Sequence, residues 1–260
     1  MSSARTNHGT RLISYAQNAE DVVLLRAFRD NPGGVYVDVG AGHPVDGSLT
    51  KNLIDLLGWT GVDIEPQADL CRALAEHHPR SSVVECCVGA PGRRTFYRLP
   101  DNWGMGTLDP EVAQRHSVSG WDVVEHEVAV VPLDDVLEGR VLPEFELLKI
   151  DVEGAEREVL DTLSLDYWQP QVVVIEATRP ATTEPSHSEW EAYLTRADYR
   201  LCLFDGLNRF YVSPSAGHLE ASLRAPANIF DRFVPAYWWR RLSDEAKDAA
   251  DPERVLARTI

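Results

Sequence analysis

An α/β fold with a doubly wound, mostly parallel sheet is what this sequence predicts, and three observations predict it. Short β-branched runs alternate with amphipathic segments of about ten to fifteen residues, the rhythm of right-handed βαβ units. Those runs are apolar on both faces, as strands covered by helices on each side must be. The chain's 260 residues carry neither an internal repeat nor a low-complexity tract, and their number fits one large domain. The expected plan is one domain over residues 1–260. An N-terminal helical segment (14–30) leads into a core (31–213) with an insertion at about 91–133, and a tail (214–260) follows.

Each element has its own signal. Val35-Tyr-Val-Asp-Val39 reads as the first core strand. Over residues 48–57, Leu49, Leu53, Leu56 and Leu57 recur at helical spacing, and Gly58 is a stop signal. A strand at 60–65, a helix at 67–78 and a strand at 82–88 follow. Further on, 146–150, 171–176 and 200–204 read as strands, with helices near 155–163 and 188–197 between them. The turn Asp205-Gly-Leu-Asn208 introduces a final strand at 209–213, expected to be antiparallel. Inside the insertion, 93–99 and 125–131 alternate apolar and polar residues, and 100–120 reads as a long loop on the ligand side.

Composition bounds the function. Apolar residues make up 44% of the chain, enough for a sizeable core, and the formal net charge is −16. That acid excess argues against a nucleic-acid partner and against a polybasic membrane surface. Apolar stretches fall far short of the roughly 20 residues a spanning helix needs. The opening Met1-Ser-Ser-Ala-Arg-Thr-Asn-His8 has no secretion signal. Cys71, Cys86, Cys87 and Cys202 show no C-x-x-C spacing and read as reduced thiols, so a cytoplasmic protein is expected.

Val37-Asp-Val-Gly-Ala-Gly42 carries the strongest local signal. Open parallel sheets bind ligands beyond the carboxyl ends of their strands, where a glycine turn lets backbone approach closely. Gly40, Ala41 and Gly42 supply that turn, and Glu65, at the end of the next strand, is placed to hold two ribose hydroxyls. A dinucleotide fingerprint would have a third glycine where Val45 stands, and Pro44 interrupts the helix start a pyrophosphate needs. This favours an adenosine ligand without phosphates. S-adenosylmethionine fits, its cationic sulfonium suiting an acid-rich pocket of Asp38, Glu65 and Asp21. An NAD(P)-dependent oxidoreductase and a catalytically silent binding protein are the rival readings.

Tyr15-Ala-Gln-Asn-Ala-Glu-Asp21, the glycine motif and Gly58-Trp-Thr-Gly-Val-Asp-Ile-Glu-Pro66 occur in an order that resembles the FkbM-type methyltransferases. Leu148-Lys-Ile-Asp-Val-Glu-Gly-Ala-Glu156 and Phe204-Asp-Gly-Leu-Asn-Arg-Phe-Tyr211 look like the family's later motifs. The likeness runs over about residues 14–233. It implies a Rossmann-like sheet of the class I methyltransferase type and S-adenosylmethionine-dependent O-methylation, commonly of sugar hydroxyls. A sugar in a polymethylated mannose or glucose polysaccharide is the specific acceptor suggested. It also adds Gln17 to the cofactor-binding set. Relatives often have Asn or Asp where this chain has His43, leaving His43 as either a ligand contact or a turn cap.

Methyl transfer to an alcohol needs a proton removed from a hydroxyl that holds it tightly. A carboxylate or His can take it, or a divalent cation can acidify it. Asp151, Glu153 and Glu176 follow strand ends, and oxygen-only donors point to Mg²⁺, Mn²⁺ or Ca²⁺ rather than zinc. Asp151 and Glu176 are the expected Mg²⁺ ligands, with Asp205 or Asn208 as a third and Glu153 as base or support. Asp151 as a helix N-cap is the competing structural reading. Glu156 and Arg157 read as a solvated helix face, and His77 and His78 as partners of a helix C-terminal dipole. His116 is a candidate base, while Trp103, Asn208 and Arg209 are candidate acceptor contacts. The run Tyr237-Trp-Trp-Arg-Arg241, flanked by Asp244, Glu245 and Asp248, reads as a buried seam or a homodimer contact in preference to a membrane-interfacial segment.

Overall fold

A computed structural model describes residues 12–242. The expectations placed on Met1–His8, on Asp244, Glu245 and Asp248, and on the rest of the tail beyond residue 242 lie outside the described residues.

The chain opens with β1 (Leu12–Ser14) and α1 (Glu20–Phe28), then β2 (Val35–Val39), α2 (Lys51–Leu57), β3 (Thr60–Ile64), α3 (Ala68–His77) and β4 (Ser82–Val84). Gly58, at φ +71, ends α2 in the left-handed region, and its N–H satisfies the carbonyl of Ile54. The insertion follows as β5 (Cys87–Val88), β6 (Gly92–Arg98), α4 (Pro110–Val118) and β7 (Val124–Val131), then α5 (Leu133–Leu137). The second half runs β8 (Leu147–Ile150), α6 (Glu156–Leu160), α7 (Leu165–Trp168), β9 (Val172–Glu176), α8 (Glu191–Arg196), β10 (Arg200–Phe204) and β11 (Asn208–Val212). It closes with α9 (Glu220–Leu223) and β12 (Phe233–Pro235).

The central seven-stranded sheet has the order β10-β11-β9-β8-β2-β3-β4. Its strands are parallel except β11, which lies antiparallel between β9 and β10. The molecule is therefore mixed α/β with a mostly parallel central sheet. Alternate residues of each strand fill two cores. Val37, Val39, Ile64, Leu148, Ile150 and Ile175 pack on one face, and Tyr36, Leu147, Val174 and Phe210 on the other. Two-sided burial of this kind is the reason the strands read as unbroken apolar runs.

Four details differ from the sequence expectation. The strand at 82–88 is two strands in two sheets, because β5 leaves the central sheet to pair with β7 beside β6. The loop at 100–120 contains α4, started by Asp109, whose carboxylate accepts the N–H of Glu111 and Val112, with Pro110 in the first turn. The helix at 155–163 is shorter, since α6 ends at Leu160. β11 is not the last strand, because β12 returns to pair in parallel with β1. Among the described residues, no helix is long and apolar enough to cross a membrane. Tyr237, Trp238 and Trp239 are 62%, 42% and 46% exposed, so this run is not a buried seam.

Candidate functional site

β2 hands the chain into a turn that only glycine allows. Gly40 has φ +78 and Gly42 φ +62. The N–H groups of Gly40 and Ala41 both donate to the Ile64 carbonyl, at 3.0 and 3.1 Å, tying the turn to the end of β3. A Cβ on Gly40 would stand 1.8 Å from the Asp151 carbonyl oxygen, and one on Gly42 would stand 2.5 Å from the Trp103 ring. Two strand ends and a loop thus converge on one backbone turn. His43 caps it: Nδ1 accepts the N–H of Val45 and Asp46, at 3.2 and 3.0 Å.

Glu65 follows directly from β3. One carboxylate oxygen accepts the Gly42 N–H and the other the Gln67 N–H, each at 3.0 Å. Burial pushes its pKa up to about 7 against the pull of those bonds. The cavity beside it is lined by Gln17, Gly40, Ala41, Gly42, Glu65, Val88, Phe96, Trp103, Lys149, Asp151 and Glu153, among others. Cys86 and Cys87 line it as well.

Lys149 has no assigned role in the sequence reading, though a lysine inside the apolar β8 is a legible signal. Its Nζ donates to the Gly40 carbonyl at 2.7 Å and lies 3.1 Å from Asp38 and 3.5 Å from Asp151. Asp38 faces this ammonium across the β2–β8 pair and does not line the cavity. Asp21 is likewise turned inward, bonded to Ser14, Tyr15, Val22 and Asn52. Both acids support the site's walls. Among the described lining residues Lys149 is the one cation, and it is already committed to Gly40 and Asp38. The cavity therefore offers no free positive charge to a pyrophosphate.

Asp151 directly follows β8 and Glu176 ends the neighbouring β9, so a parallel pair sets their carboxylates side by side. Glu153 joins them from a left-handed residue (φ +53) followed by Gly154 (φ +102). Its carbonyl accepts the Thr107 hydroxyl at 2.9 Å, which holds this strained turn. One oxygen from each of Asp151, Glu153 and Glu176 lies within 4.8 Å of the others. Burial, and then the neighbouring carboxylates, push Glu176 and Glu153 above the usual range. One Glu176 oxygen is buried with no partner. Such an array favours a shared proton or a cation, and all-oxygen donors suit a hard divalent ion.

Glu156 is not on a solvated face. It is buried and accepts the Gly154 N–H at 3.0 Å, bracing the same turn. Ala155 is the residue that caps α6, so Asp151 is not the N-cap. His78, the C-cap residue of α3, is buried with its ring nitrogen 2.9 Å from Asp63.

A wider groove adjoins the cavity and shares Gln17, Gly47, Trp103, Gly104 and Glu153 with it. Glu176 and Asp205 line the groove as well. The acid cluster thus stands where the two spaces meet, and Trp103 lines both. Other sequence candidates stand apart. His116 lies on α4, buried, and lines neither space. Arg209 pairs with Glu191 at 2.5 Å, away from the groove lining. Asp205 is outside the three-carboxylate group. Asn208 is buried and donates to Glu20 at 2.6 Å, joining the first and last sequence motifs. Asn208→Ala should lower stability by about 1–3 kcal/mol by leaving the buried Glu20 short of a partner, read as a lower denaturation midpoint with an unchanged slope.

A mostly parallel sheet with a cavity over its strand ends, next to a carboxylate cluster and a second groove, is the layout in which open α/β sheets place their ligands. The family model for the methyltransferase FkbM domain matches residues 38–201, and the chain belongs to that family. Methyl transfer from S-adenosylmethionine comes with the family. No curated protein and no solved structure matches the chain.

Proposed function

We propose that the chain transfers a methyl group from S-adenosylmethionine to a carbohydrate hydroxyl with Mg²⁺ assistance. The sheet order, with one antiparallel strand inserted next to the edge, supports the Rossmann-like, class I methyltransferase type. The observation that carries the reading is the Asp151, Glu153 and Glu176 cluster at the junction of cavity and groove. In this reading the Gly40–Ala41–Gly42 backbone, Gln17 and Glu65 hold the donor, with Glu65 accepting its ribose hydroxyls. Lys149 and Asp38 fix the turn, and Trp103 separates donor from acceptor. Asp151, Glu153 and Glu176 would hold Mg²⁺, Glu153 replacing the Asp205 expected from sequence, and the ion would supply charge that acidifies the acceptor hydroxyl. A carboxylate of the cluster takes the proton. Sugars of polymethylated mannose or glucose polysaccharides are the acceptors to try first.

The test is S-adenosylhomocysteine formation across a panel of sugar acceptors, with and without EDTA. Turnover that EDTA abolishes and Mg²⁺ restores is expected. Turnover indifferent to chelation removes the metal role, and turnover only on non-sugar acceptors removes the carbohydrate. Donor binding should also depend on pH. With its pKa near 7, Glu65 is mostly protonated at pH 6 and ionised at pH 8. A ribose hydroxyl donates more strongly to the ionised form, so binding favours deprotonation and strengthens as pH rises. Calorimetric affinity for S-adenosylhomocysteine should rise up to about ten-fold between those pH values, and Glu65→Gln should flatten the profile.

A further inference from the structure

About half of the acceptor side is built by parts of the chain outside residues 38–201. Tyr15, Asn18, Asp205, Phe233, Tyr237 and Arg240 all line the groove. Of the residues lining the donor cavity, Gln17 alone falls outside that span. The β1–β12 ladder explains how the two ends of the described chain come to form one wall. Its register pairs Ser14 with Pro235 in parallel, so Tyr15 and Tyr237 leave the ladder at the same end. Arg240 then bridges to Asp46 in the loop after the glycine turn, which anchors residues 236–242 beside the groove.

Three properties of this wall describe its occupant. The open groove has a volume of about 1330 Å³, beyond the roughly 300–1,000 Å³ of single small-molecule sites. Asp205 uses Oδ1 to accept the N–H of Leu207 and Asn208, but its Oδ2 is buried without a partner. A buried acceptor of this kind is costly until a donor reaches it, and a sugar hydroxyl is such a donor. Tyr237, well exposed at the rim, offers a ring on which the apolar face of a sugar stacks.

We infer that the groove holds a sugar adjoining the one that is methylated, with Tyr237 stacking on it and Asp205 accepting its hydroxyl, so that the acceptor is an oligosaccharide. This rests on the carbohydrate reading above and adds the length of the acceptor and the residues that measure it. The test compares methyl transfer by the full chain on the methyl glycosides of glucose, mannose and galactose with transfer on linear tri- and tetrasaccharides of the same sugars. For the preferred sugar, kcat/KM should be at least about ten-fold higher on the longer acceptor. Tyr237→Ala and Asp205→Asn should each cut that preference by roughly three- to ten-fold, through KM with kcat held. Affinity for S-adenosylhomocysteine should stay within about two-fold in both variants, as expected for a site the donor does not touch. Equal kcat/KM on one sugar and on four overturns the inference and leaves sugar methylation standing. A length preference that both variants retain overturns the assignment of these two residues. Turnover on none of the saccharides removes the carbohydrate reading, and this inference with it.

Discussion

Asp151→Asn should lower methyl transfer by about a hundred- to ten-thousand-fold, the range for loss of an acid–base group, while S-adenosylhomocysteine still binds. Asp151, like Glu153, both lines the donor cavity and belongs to the acid cluster, whose oxygens lie within 4.8 Å of one another. In the proposed mechanism, removing its charge takes away one cation ligand and one of the carboxylates near the transferred proton. The substitution does not strip Lys149 of its partners, because Asp38 and the Gly40 carbonyl remain at 3.1 and 2.7 Å. The donor turn is therefore expected to survive, and the loss should appear in kcat. Single-turnover rates, calorimetry with S-adenosylhomocysteine and thermal unfolding on the same variant separate these effects. Turnover within about three-fold of the unsubstituted protein would contradict a chemical role for Asp151.

Gly40→Ala should abolish donor binding and destabilise the fold by about 3 kcal/mol or more. Two costs add. A non-glycine residue at φ +78 costs about 1–2 kcal/mol. The new methyl would also stand 1.8 Å from the Asp151 carbonyl oxygen, so β2 and β8 must separate. Gly33 provides the internal control. It has a similar φ of +75, but a Cβ there meets nothing within 4 Å, so Gly33→Ala should cost only about 1–2 kcal/mol and keep donor affinity. Chemical denaturation of the two variants, with calorimetric titration of S-adenosylhomocysteine, measures the difference. Equal effects at both positions would show that the close approach at Gly40 is not what the site depends on.

What the sequence made legible follows from range. The core strands were readable because two-sided burial writes itself as unbroken apolar runs, and the glycine turn because φ-positive backbone demands glycine at Gly40 and Gly42. Asp151 and Glu176 were readable as strand-end acids, since parallel topology sends every such end to one side. Local chemistry also announced α4, through Asp109 and Pro110, although the surrounding glycines masked it. Asn208 pairs with Glu20 across 188 residues, and no local pattern encodes that. Its place in a motif beside Arg209 suggested an acceptor contact, yet one side chain is structural and the other pairs with Glu191. Asp38 was legible as an acid near the turn, but not as the buried partner of Lys149, because strand pairing decides which face of β2 it shares. The groove wall is non-local in the same way, formed by β1 and β12 from opposite ends of the described chain.

A crystal structure with S-adenosylhomocysteine tests the central claim most directly. The expected density runs under the Gly40–Ala41–Gly42 backbone, with the ribose hydroxyls bonded to the Glu65 carboxylate and the sulfur facing Asp151 and Glu153. Product bound elsewhere, or bound in that cavity with no contact between ribose and Glu65, would contradict it.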